Sequence, residues 1–203
     1  MPTSPFAEHT ARLARELATA LVSEADDTRL AASAADIAAR ILAAAEAPHT
    51  VEIDAPSPGA AHIPFDITPA SSPRNPLAPP MDIVWDGERS TCILTLPLQY
   101  QGPPGRVHGG IIALLLDHTL GNAANAGERP RSFTRYLNVL YEAATPIGEE
   151  IVVTGWAARQ EGRKQFMEGT ITVNGEVSVR AEGLWITPRE NMTLVTSDGA
   201  EQR

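Results

Sequence analysis

The chain has 203 residues, 43% of them apolar and 20% charged, and 16 Lys+Arg against 25 Asp+Glu give it a formal net charge of −9. That length carries one ordinary domain with an appendage and buries a full core without staples, while the acidic balance argues against nucleic-acid binding, which depends on neutralising phosphates. The single cysteine, Cys92, excludes an intramolecular disulfide or Cys-rich zinc site and fits the reducing cytoplasm, and the longest purely apolar run, Ile111 to Leu116, is far short of the about 20 residues of a membrane span.

At the N-terminus no basic flank precedes an apolar block, so no signal peptide is expected. Residues 1–48 are rich in Ala. Leu13, Leu17 and Leu21 recur every four residues; after an interruption at Ser23–Asp27, Leu30, Ala34, Ile37, Ile41 and Ala44 repeat at helical spacing. This predicts two amphipathic helices in a hairpin, the second capped by Asp26 or Asp27 and ended by Pro48. The segment reads as cover for apolar surface of the main domain, with partner recruitment as the other use of such a stripe. Residues 49–80 form a connector: Pro56, Pro58, Pro64, Pro69, Pro73, Pro76, Pro79 and Pro80 remove the N–H groups that a helix or inner strand needs.

Residues 81–188 read as the main domain, followed by a tail over 189–203. Met81–Asp86 and Arg89–Leu96 are predicted strands around an Asp86-Gly87 turn. A loop rich in Gly and Pro, Gln101–Gly105, leads to His108-Gly109-Gly110 and then to Ile111–Gly121, apolar almost all round and so predicted as a buried helix. Four strand-like runs follow, Ser132–Glu142, Glu149–Gln160, Lys164–Val173 and Glu176–Thr187, with an Asn174-Gly175 hairpin signal between the last two. An apolar helix must be covered on most sides, so the expected fold is α+β, an antiparallel sheet wrapped round one central helix. Because short turns join the last four strands, each is expected to lie beside the next.

The chemistry gathers at the start of that helix. First-turn N–H groups have no internal partner, and Gly109 and Gly110 let a ligand atom approach them, which suits an anion or a carbonyl oxygen that turns negative under attack. The plainer use of the same glycines is a tight turn from strand to helix. Asp117 stands one residue beyond a fully apolar turn, where a dry charge needs a use, an arginine partner or exposure at a subunit boundary. Eight residues separate Gly109 from Asp117, roughly 12 Å along a helix, whereas reacting atoms must come within about 3–3.5 Å. If both serve one reaction centre, Asp117 comes from a second subunit, and a two-fold dimer with antiparallel helices gives two equivalent sites.

His108-Gly109-Gly110, six apolar residues and Asp117, set in an order of two strands, one helix and four strands, resembles the hotdog-fold acyl-CoA thioesterases. The branch it resembles is PaaI-like and THEM-like, of actinobacterial type, over about Asn75 to Pro188, with Gly148 in a Thr-Pro-Ile-Gly turn adding to the pattern. The resemblance implies that Gly109 or Gly110 holds the thioester carbonyl through its N–H, that His108 orients the loop, and that Asp117 of the partner subunit is the base for water or a nucleophile. It implies that Thr134 helps position the water. Gln101 is assigned a similar role beside Gly102, where some relatives carry Asn. No cofactor is expected beyond coenzyme A as part of the substrate, and the expected assembly is a homodimer or a dimer of dimers, a homotetramer.

Fifteen of the sixteen cations are Arg, and the one lysine, Lys164, stands beside Arg163. The phosphates of coenzyme A call for such cations, with Arg159 and Arg135 as further candidates; charges that guard a strand edge are the alternative. The functional reading is hydrolysis of an acyl-CoA to free acid and CoA. A non-catalytic protein that binds acyl-CoA or lipid on the same fold is the alternative.

Overall fold

The structure, a computed structural model, describes residues 5–22, 68–73, 75–127 and 130–189. The expected second helix of the N-terminal hairpin, its Asp cap, the first part of the proline connector and nearly all of the tail lie outside the described residues. The chain divides into two compact units, one up to Pro79 and one from Pro80. In the first, helix α1 (Pro5–Val22) carries the Leu13–Leu17–Leu21 spacing, and Arg15 donates from Nη1 to the carbonyl of Asn75 at 3.0 Å. Among the described residues no helix is long and apolar enough to cross a membrane.

The second unit holds six strands and one long helix. They are β1 (Ile83–Trp85), β2 (Arg89–Thr95), helix α2 (Gly109–Asn125), β3 (Phe133–Tyr141), β4 (Glu150–Glu161), β5 (Lys164–Val173) and β6 (Glu176–Ile186). The predicted first strand shortens to three residues, and the predicted helix gains two residues at its start and four, about one turn, at its end. The sheet is antiparallel throughout, in the order β1-β2-β4-β5-β6-β3.

That order corrects one expectation. β3 does not lie beside β4; it crosses to the far edge and pairs with β6. The crossing spans three strand spacings, about 14 Å, and the eight residues of 142–149 can extend about 26 Å, so a short link does not enforce adjacency. The link is fastened on its way. Val107 donates its N–H to Thr145, Ile147 to Gly105, and Gly148 to Leu96, so the loop before α2 and the link after β3 hold each other.

The inner face of the sheet follows from alternation: Ser90, Cys92 and Leu94 on β2, Ile151, Val153 and Gly155 on β4, and Gln165, Met167, Gly169 and Ile171 on β5 all point to the helix. Leu115, Leu116, Leu120, Ala123 and Ala124 of α2 are fully buried in this core. Each such Leu contributes about 2 kcal/mol by leaving water. Close packing is set by glycine: a Cβ at Gly169 would lie 2.4 Å from Leu120 Cδ1, and one at Gly155 would lie 3.0 Å from it. At the far end Asn125 ties α2 to the start of β3, donating to the carbonyls of Gly121 and Ser132 and accepting the Ser132 N–H at 2.7 Å.

Candidate active site

The start of α2 is built by His108, in extended conformation with φ −63 and ψ 133. Its Nδ1 accepts the Gly110 N–H at 3.0 Å, an N-cap that requires a bare Nδ1 and puts the proton of the neutral ring on Nε2. The His108 carbonyl takes the N–H groups of Ile111 and Ile112. Gly110 is thereby occupied. Among the described residues the Gly109 N–H has no acceptor, which singles it out of the two glycines expected to meet a carbonyl oxygen.

Eight residues on, Asp117 is half-buried, and Thr134 of β3 donates from Oγ1 to its Oδ1 at 2.9 Å. Among the described residues no arginine or lysine pairs with it, so its partner is a hydroxyl. The neighbouring His118 is pushed below the ordinary imidazole value of 6.5 by burial, with the Asp117 charge pulling the other way.

Gly109 has a contact that the sequence did not point to. Tyr141, at the end of β3, donates its hydroxyl to the Gly109 carbonyl at 2.9 Å. Strict alternation puts residues seven apart on opposite faces of a strand, yet Thr134 and Tyr141 both meet α2. A β-bulge at Arg135 makes up the difference: Thr134 stands opposite Trp185 and Tyr136 opposite Leu184, so Arg135 is the extra residue. Thr134 and Tyr141 therefore face Trp185 and Val179, six residues apart on β6 and roughly 20 Å along it. One chain holds Gly109 and Asp117 at separate stations.

Gln101 stands in the loop before the helix, where its Oε1 accepts the Gly105 N–H at 2.9 Å and closes the turn. Beside it, a Cβ at Gly102 would lie 2.8 Å from His108 Cα, so the Asn that some relatives carry at this place has no room here without moving the His108 backbone.

The cations gather at the β4–β5 turn. Arg163 bends back to donate to the Thr187 carbonyl at 2.6 Å, while Arg159 pairs with Glu161 and covers the Phe166 ring at 3.5 Å. Lys164 is exposed, opposite Glu161 on one side and Ile186 on the other; Ile186 in turn faces Phe133. The turn thus lies at the Thr134 end of the sheet, the end that carries Asp117. Cys92 and Trp185 are core residues, and Trp156 takes the Arg89 guanidinium over its ring at 4.7 Å.

Residues 104–179 match the family model of the thioesterase superfamily. The acyl-coenzyme A thioesterase THEM4 of Rattus norvegicus is 34% identical over 95 residues, 47% of this chain and 40% of that one, so the chain matches less than half the length of this curated relative. A crystal structure of a thioesterase superfamily protein is 31% identical, with a TM-score of 0.71 over 92% of both chains. The PaaI protein of the E. coli phenylacetic acid degradation operon, 15% identical with a TM-score of 0.50 over 54% of this chain and 80% of its own, shares the fold. The helix wrapped in an antiparallel sheet and these matches together make the chain a member of the thioesterase superfamily, built on the hotdog fold.

Proposed function

We propose that this protein hydrolyses the thioester of an acyl-CoA to free acid and CoA. The observation that carries the reading is the pair of groups on α2: a Gly109 N–H with no acceptor among the described residues at the helix start, and an Asp117 carboxylate steadied by Thr134. The acyl-CoA thioesterases among the relatives support the substrate class.

The thioester carbonyl oxygen accepts the Gly109 N–H, and the helix dipole adds positive potential there. Asp117 of the partner subunit takes a proton from water, whose oxygen attacks the carbonyl carbon. The negative charge gathers on the carbonyl oxygen, and its return expels the CoA sulfur, which takes the proton held by Asp117 and leaves as the thiol. Direct attack by the carboxylate, through an anhydride, is the other route open to the same residue. Lys164, beside the occupied Arg163 and Arg159, is the cation we assign to the phosphates of coenzyme A; no cofactor beyond that substrate is invoked.

The assembly we propose is a two-fold dimer joined along β3. This strand ends the sheet and exposes Phe133, Tyr136, Leu140 and Tyr141, an apolar edge suited to a second copy. Antiparallel pairing there sets the two helices side by side and brings Gly109 of one subunit toward Asp117 of the other. Dimers of dimers extend the same proposal, and the cytoplasm is the compartment that a lone, buried, free Cys92 favours.

Thiol release from short, long and aromatic acyl-CoAs tests the activity. The wild type is expected to turn over at least one of them, and Asp117→Asn to lose at least about a hundredfold in kcat. Release at background across the panel overturns the reading. Equal turnover by wild type and Asp117→Asn removes Asp117 from the chemistry, whereas tight acyl-CoA binding with release at background favours a binding protein.

A further inference from the structure

We propose that Tyr141 is a positioning residue: its hydroxyl fixes the Gly109–Gly110 peptide and so aims the Gly109 N–H that the thioesterase reading, on which this inference rests, gives to the substrate carbonyl. A peptide unit is planar, so a bond at each end determines its orientation. The carbonyl of this unit receives Tyr141 Oη at 2.9 Å, and its N–H, that of Gly110, goes to His108 Nδ1 at 3.0 Å. The preceding unit is held on its carbonyl side by Ile111 and Ile112. What remains between the two held units is the α-carbon of Gly109, the residue type with the widest rotational freedom.

Tyr141 also supplies the bulk that Gly109 lacks. A Cβ built at Gly109 would lie 3.4 Å from Tyr141 Oη and 3.6 Å from Cε1 and Cζ, so the phenol ring already lies in contact distance across that backbone. Core packing does not account for this tyrosine, because it is 49% exposed. The Arg135 bulge, at the other end of β3, lets Thr134 share the helix-facing side with Tyr141. Ring and hydroxyl converge on one peptide, and that peptide borders the one N–H of the helix start that has no acceptor among the described residues.

Tyr141→Phe in the full chain keeps the ring and removes the hydroxyl. With an acyl-CoA that the wild type hydrolyses, kcat is expected to fall about tenfold, the effect of losing one hydrogen bond, while KM stays within about twofold and the melting temperature is unchanged. In the unliganded protein the amide 15N resonance of Gly110 is expected to shift, because the carbonyl of its own peptide loses a donor; Tyr141→Ala, which removes the ring as well, lowers kcat further. A Gly110 resonance that stays in place in Tyr141→Phe overturns the clamp whatever the activity. A shifted resonance with wild-type kcat and KM overturns the positioning role. If the wild type hydrolyses no acyl-CoA while the resonance shifts, the hydrolase reading fails and the clamp itself stands.

Discussion

Thr119 is the one buried side chain of α2 whose polar atom has no hydrogen-bond partner: fully enclosed, its Oγ1 meets neither a backbone carbonyl nor a side chain among the described residues. A hydroxyl taken out of water without a partner costs more than the methyl of the same shape would. Thr119→Val is therefore expected to raise the unfolding free energy by about 1 kcal/mol, read as a higher urea midpoint at unchanged slope. A lower midpoint would show that the Thr119 hydroxyl has a hydrogen-bond partner in solution. His108 is the opposite case. It is exposed, yet its ring nitrogen replaces the Ser, Thr, Asp or Asn usual at a helix N-cap, and by occupying Gly110 it decides which glycine is left to a ligand. The motif announced an anion-friendly helix start; the choice between two adjacent N–H groups depended on a side-chain rotamer, which residue types do not encode.

At the level of elements, the helix seat on the sheet is decided by Gly155 and Gly169. A methyl group at 169 meets Leu120 Cδ1 at 2.4 Å and the Thr154 carbonyl oxygen at 2.7 Å; the first can turn away, but the second is backbone. Gly169→Ala is expected to cost about 2–3 kcal/mol in chemical denaturation, and a loss below about 0.5 kcal/mol would show that α2 lifts from β5 without penalty. Strand and helix positions were legible in the sequence because each apolar run kept one period, two for strands with a wet face and none for the enclosed helix. Pairing order was not. Period tells which face of β3 is apolar but not which strand it meets, and the link after it is long enough for either answer. Nor did alternation reveal Tyr141, since one extra residue at Arg135 inverts the parity between it and Thr134. The family resemblance, not the periodicity, named Asp117 and Thr134 together, and the structure brings their side chains to 2.9 Å.

For the whole molecule, the separation of Gly109 from Asp117 turns a question about chemistry into one about stoichiometry. Gly109 is the first residue of α2, and His108 before it has the extended conformation that a following proline demands. Gly109→Pro thus deletes the N–H while suiting the helix. Alone, it and Asp117→Asn are each expected to be nearly inactive. Mixed in equal amounts and allowed to exchange subunits, half the dimers are hybrids, and in each hybrid one of the two sites is intact, so about a quarter of wild-type activity returns. No recovery after exchange has been verified by mass would place both groups of a working site in one chain. The far-edge position of β3 has another consequence, one of timing during synthesis. This strand leaves the ribosome 35 residues before the first residue of its partner β6, and β4, β5 and β6 can zip together through tight turns while it waits. The strand that carries Thr134 and Tyr141 cannot pair in the sheet until β6 has been made, so the sheet side of the candidate site waits for the last strand of the chain.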